Sequence, residues 1–155
     1  MLFRSPQFLY CGFIITLLIF GLMSSVSADF KTAYQQGDYK TAIKELRPLA
    51  EQGNADEQFI LGLMYDNGQG VTKDDQTAVK WYRKAAEQGQ ANAQTSLGVM
   101  YALGQIVAKD EVLAYMWFNL ALNGELRDFI AKRMLPEQIA EAQRLSREWL
   151  AKQNK

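Results

Sequence analysis

The acidic pairs Asp74-Asp75 and Asp110-Glu111, the loop Gly68-Gln69-Gly70-Val71-Thr72-Lys73 and scattered Ser, Thr and Lys are the candidates for catalysis or ion binding in this sequence. Adjacent acids offer hard oxygen ligands to a divalent cation. They serve equally as helix N-caps, where a carboxylate accepts free backbone N–H groups and meets the positive end of the helix dipole, and that simpler role explains both pairs. The glycine loop superficially resembles a phosphate-binding loop. It follows a helical pattern instead of a strand, and it lacks the Gly-Lys-Ser/Thr step that places the lysine, so a helix-helix turn is expected there.

The chain has no His and one Cys in 155 residues, which removes histidine acid/base chemistry, histidine metal ligation and any intramolecular disulfide. A nucleophile would then need Ser or Thr beside Lys, but neither Ser-x-x-Lys nor Lys-Thr-Gly occurs. What remains for catalysis is a pair of carboxylates, which makes an enzyme or accessory acting on cell-wall material the alternative to a non-catalytic protein. No cofactor is called for. The 17 Lys and Arg balance the 17 Asp and Glu, so no basic field exists for nucleic acid.

The elements that position these residues begin after a targeting segment. Arg4 is the only charge before Asp29; the apolar run Phe8 to Met23 follows it, and Ser24 to Ala28 supply a small-residue exit, with Val26 and Ala28 at the −3 and −1 positions of a signal-peptidase site. A mature chain starting near Asp29 is expected, secreted and periplasmic in a Gram-negative bacterium. The alternative is a retained anchor and a membrane-tethered scaffold, because about 19 apolar residues just suffice to span. Cys11 lies ahead of the main apolar run behind the bulky Tyr10, an unsuitable place for lipidation. Without Cys, the mature domain must be held by packing alone.

That domain repeats with a period of 36. Gly53 to Gln88 and Gly89 to Gly124 share identical residues at 15 of 36 positions. Repetition at this length marks a solenoid whose units stack because none can bury its apolar face alone. In each unit Gln58, Leu61, Gly62 and Tyr65 fall at i, i+3, i+4 and i+7, one face of a first helix. Glycine inside a helix costs about 1 kcal/mol against Ala. Its recurrence at 62 and 98 predicts that another helix backbone passes too close for a methyl group.

Gly68 and Gly104 suit a left-handed C′ position, Asp74 and Asp110 suit N-caps, and Ala78, Trp81, Tyr82 and Ala85 form the face of a second helix. Trp81 and Trp117 read as core, not as a stacking platform. Residues 29–52 form a degenerate first unit, in which Asp38-Tyr39 matches Asp74 and its successor and Pro48 should kink the helix by crowding the Lys44 carbonyl. Residues 125–155 form a cap: a segment apolar at Leu126, Phe129, Ile130 and Met134, then a helix opened by Pro136.

The pattern Ala-x-x-Gln-x-x-Leu-Gly-x-Met-Tyr-x-x-Gly-x-Gly-Val-x-x-Asp-x-x-x-Ala-x-x-Trp-Tyr-x-x-Ala-Ala-x-x-Gly, from Ala55 to Gly89, resembles the Sel1-like repeat, a relative of tetratricopeptide repeats. The resemblance implies an all-α, right-handed solenoid of antiparallel helix pairs, here about two and a half repeats plus a capping helix, acting as an adaptor for other macromolecules. Some secreted Cys-rich members are linked to β-lactam binding, but the paired Cys that mark them are missing. Ile106 replaces the second loop glycine, and Leu135 stands where a Thr cap is expected.

Residues shared by the two units are those stacking requires, so first-helix positions that differ are free for a ligand. Phe59, Leu63 and Asp66 differ from Thr95, Val99 and Ala102 at the same i, i+4, i+7 spacing. These six are expected to floor a groove on the concave face for an extended or helical protein segment. A peptide-sized partner or homodimerisation suits so short an array.

Overall fold

The computed structural model describes residues 30–154, so the signal-peptide expectation and Cys11 lie outside the described residues. Helical residues 30–35 lead into α1 (Tyr39–Glu51), α2 (Ala55–Asn67), α3 (Asp75–Glu87), α4 (Ala91–Leu103), α5 (Glu111–Leu120), α6 (Gly124–Ala131) and α7 (Pro136–Gln153). Each helix packs against its successor as far as α6, and α7 folds back onto α5. Among the described residues there is no strand.

The period seen in the sequence reappears as a period of hydrogen bonds. Asp38, Asp74 and Asp110 cap α1, α3 and α5 by accepting the N–H of Thr41, Thr77 and Leu113 at 3.2, 3.0 and 2.9 Å. Gly68 and Gly104 both take φ +67 and donate back to the Met64 and Met100 carbonyls, ending α2 and α4 as αL caps. Each loop is closed by the cap residue itself, since the Asp74 and Asp110 N–H groups donate to the Tyr65 and Tyr101 carbonyls at 3.0 Å. Two buried amides complete the pattern: Gln58 Nε2 donates to the Ala50 carbonyl at 3.0 Å and Gln94 Nε2 to the Ala86 carbonyl at 3.1 Å.

The core is a chain of three clusters, each shared between neighbouring units. Phe30, Ile43, Leu46, Leu61 and Met64 form the first; Val79, Tyr82, Leu97, Met100 and Trp117 belong to the second; Tyr115, Phe118, Ile130, Met134 and Ala142 belong to the third. No unit completes a cluster alone, which is the solenoid condition.

Three local readings are refined, and one helix end departs from the repeat. The reason for Gly62 and Gly98 is a ring, not a backbone: a Cβ at Gly62 would lie 2.7 Å from the Tyr82 ring, and one at Gly98 would lie 2.5 Å from the Phe118 ring. The helix α1 runs on through Pro48 to Glu51, and the N–H of Gln52 reaches the Pro48 carbonyl at 3.1 Å. The second loop does without a second glycine because Ile106 needs no positive φ, whereas Gly70 has φ +73 and lies so close to the Tyr39 carbonyl that any Cβ there would collide with it. Finally, α5 stops at Leu120, and Leu122 takes the αL turn at φ +57 that Gly89 makes after α3.

At the start of α7, Leu135 occupies the N-cap and offers no side-chain acceptor, while its own N–H is met by Gln138 Oε1 at 2.8 Å. Leu135 is also 57% exposed, so replacing it loses little packing. The substitution Leu135→Thr is expected to stabilise the protein by about 1 kcal/mol, the usual worth of an N-cap hydroxyl. Thermal unfolding should show a raised midpoint, and an unchanged one would contradict the capping argument.

Candidate protein-binding surface

Of the first helices of successive units, residues 30–35, α2 and α4, the last two carry the six residues expected to form a groove, three on each. Leu63 is half-buried and lines a cleft of about 240 Å3 with Phe30, Lys31, Tyr34, Gln35 and Ile60. Phe59 lies one turn before Leu63, its ring tilted against that of Tyr82 with centroids 5.7 Å apart. On α4, Val99 is exposed and Thr95 partly so, while Ala102 packs on the third cluster.

Asp66 is already occupied. Its Oδ2 accepts the Tyr82 hydroxyl at 3.1 Å and its Oδ1 lies 3.7 Å from Lys73 Nζ. The second unit replaces this pair together, with Ala102 for Asp66 and Phe118 for Tyr82. The difference at 66/102 therefore follows an internal partner, and the surface left for a ligand centres on Phe59, Leu63, Thr95 and Val99. The 36-residue register did not reveal Phe30, Tyr34 and Ile60 as a cleft, because the degenerate unit joins its helices through residues 36–38 where the full units use seven. Phe30 and Tyr34, one helical turn apart, were the available signal.

Tyr82 also carries a pH prediction. Burial first, and then the Asp66 charge, push its phenol well above the usual tyrosine range. The neutral form is thus favoured by folding, so its contribution to stability is whole below pH 10, where an unfolded tyrosine ionises, and is lost as pH rises further. The double substitution Asp66→Ala/Tyr82→Phe, which copies the second unit, should flatten the decline of the urea midpoint above pH 10; a decline as steep as the parent's would contradict this.

The candidate acids are engaged in structure. Asp74 Oδ1 caps α3, and the hydrogen bonds from Thr77 hold its carboxyl below the usual carboxylate range. Asp75 meets Lys73 at 2.8 Å, Asp110 caps α5, and Glu111 meets Lys109 at 3.0 Å. In the loop between α2 and α3, the N–H groups of Gly68 and Gln69 both return to the Met64 carbonyl. They are spent on the helix end, as a turn requires. Among the described residues no group of three or more His, Cys, Asp or Glu is placed to hold a metal ion, and no helix is long and apolar enough to cross a membrane.

The paired helices, αL caps and buried amides recur at the spacing of a known repeat. The family model described as Sel1 repeat matches residues 58–90 and 91–124. The chain carries two Sel1 repeats. It is similar to a protective antigen of uropathogenic Escherichia coli displaying an SLR fold, with 33% identity and a TM-score of 0.73 over 79% of this chain and 28% of that one. It is also similar to a Sel1 repeat protein from Oxalobacter formigenes, with 37% identity and a TM-score of 0.57 over 61% of this chain and 39% of that one. The chain thus spans well under half the length of either. No match is found among curated proteins. Sel1 repeats generally mediate protein–protein interaction, and this fold is typically a non-catalytic scaffold.

Proposed function

We propose that this Sel1 repeat protein is a periplasmic, non-catalytic adaptor that seats a protein segment on its first-helix face. One observation carries the reading: Leu63 lines an open cleft with Phe30, Tyr34 and Ile60, while Phe59, partly buried on α2, and Val99, exposed on α4, add apolar side chains at neighbouring positions. Apolar side chains aligned across adjacent first helices suit the alternate side chains of an extended peptide or one face of a helix. The N-terminal sequence pattern supports export. A start near Asp29 for protein recovered from the periplasmic fraction would accord with it, and a retained N-terminus in the membrane fraction would replace the adaptor with a tethered scaffold.

The binding reading is tested by Phe59→Ser/Leu63→Ser. Partner capture after cross-linking should fall at least tenfold while circular dichroism keeps its helical signal. Capture equal to the parent's would overturn the assignment of this face.

A further inference from the structure

A second cleft, of about 360 Å3, lies on α3 and is lined by Thr77, Lys80, Trp81, Arg83, Lys84 and Glu87. The internal repeat shows what such a face accepts. Thr77, Lys80, Trp81 and Lys84 stand 36 residues before Leu113, Met116, Trp117 and Leu120 on α5. On α5 that face is covered by α7: Trp149 meets Trp117 edge to face with centroids 6.5 Å apart, and Leu145 packs on the same cluster. The end of α7 reaches back to α3, where Gln153 Nε2 donates to the Glu87 carbonyl at 2.9 Å. Under this cover Trp117 is only 7% exposed.

On α3 the tryptophan is kept, and among the described residues no helix covers it as α7 covers Trp117. Trp81 packs inward on the first cluster and remains partly exposed, with Lys84 Nζ 4.4 Å from its ring centroid. Around it, three apolar residues of α5 have become Thr77, Lys80 and Lys84. Neither lysine has a carboxylate within ion-pair distance among the described residues. A helix-accepting face that keeps its aromatic anchor and exchanges an apolar rim for Lys80 and Lys84, with Arg83 beside them and Glu87 as the one carboxylate of the lining, is net positive and complementary to a helix bearing an aromatic residue and carboxylates. We propose that the α3 face docks an acidic amphipathic helix of a partner protein, seated as α7 is seated on α5. This site is separate from the first-helix groove and stands or falls independently of it.

The probe is a labelled synthetic peptide copying residues 136–153 with Leu145→Glu, which presents a carboxylate to the lysines and retains Trp149; the control carries Leu145→Lys. Fluorescence anisotropy with the full chain should show at least tenfold tighter binding of the glutamate peptide, weakening as salt is raised. The variant Lys80→Glu/Lys84→Glu, with both substitutions at exposed positions, should reverse the preference without changing helicity. Equal affinity for both peptides, or a preference that the variant leaves intact, would overturn the proposal. So would a homodimer in sedimentation that the variant dissolves, because the occupant would then be a second copy.

Discussion

Gly98→Ala is expected to lower the stability of the protein by about 2 kcal/mol, against the ordinary rule that Ala stabilises a helix. Two effects compete. Replacing a mid-helix glycine by Ala gains about 1 kcal/mol in backbone terms. The added Cβ, however, would sit 2.5 Å from Phe118 Cε1 and 2.6 Å from Cδ1, closer than such atoms approach. Phe118 is 3% exposed within the third cluster, so its ring cannot turn aside without displacing Tyr115, Ile130 or Met134. Overpacking of this kind costs about 1 to 3 kcal/mol, and with contact at three ring atoms the upper part of that range applies. Urea unfolding reads the difference, and Phe118→Leu should restore much of it in the double variant. A Gly98→Ala protein more stable than the parent would mean that the ring yields and that glycine was kept for another reason.

The same position shows how far the sequence can be followed. Repetition of Gly62 and Gly98 announced a close approach, because an unfavourable residue kept twice at one register needs a cause. It could not say what approached, since the opposing side chains Tyr82 and Phe118 differ and only the fold sets them against α2 and α4. Five helix ends were legible to the residue: Asp38, Asp74, Asp110, Gly68 and Gly104 each act locally, within four residues of what they cap. The expected groove residues were legible only in part. Comparing units marks every difference as available for a ligand, yet Asp66 differs because its partner Tyr82 differs, a coupling across 16 residues that period alone does not show. The α3 face was legible only in its rim, where Thr77, Lys80 and Lys84 stand for Leu113, Met116 and Leu120; Trp81 and Trp117 are identical, and the register does not show that α7 returns to cover one of them.

Truncating Gln94 to Ala is expected to cost about 3 kcal/mol, the largest loss foreseen for a polar side chain here. Gln94 is 2% exposed, and its amide spans from α4 to the end of α3, as that of Gln58 spans from α2 to the end of α1. Helix ends leave carbonyls without intrahelical partners, and these two amides meet them in the same way across successive unit boundaries. The Ala86 carbonyl keeps one bond after truncation, from the Gly89 N–H at 2.9 Å. The hydrogen-bond loss therefore falls near the low end of about 1 to 3 kcal/mol. The larger share comes from the void left by a side chain that is wholly buried, in the range of about 2 to 5 kcal/mol seen when a buried long side chain becomes Ala. Gln94→Met separates the two, because it fills the space without donating: about 1 kcal/mol is expected for it, read from the urea midpoint at constant slope. Should Gln94→Met cost as much as Gln94→Ala, the amide's bond and not its volume would be what joins one unit to the next, and the stacking of this solenoid would be set by polar contacts at its seams.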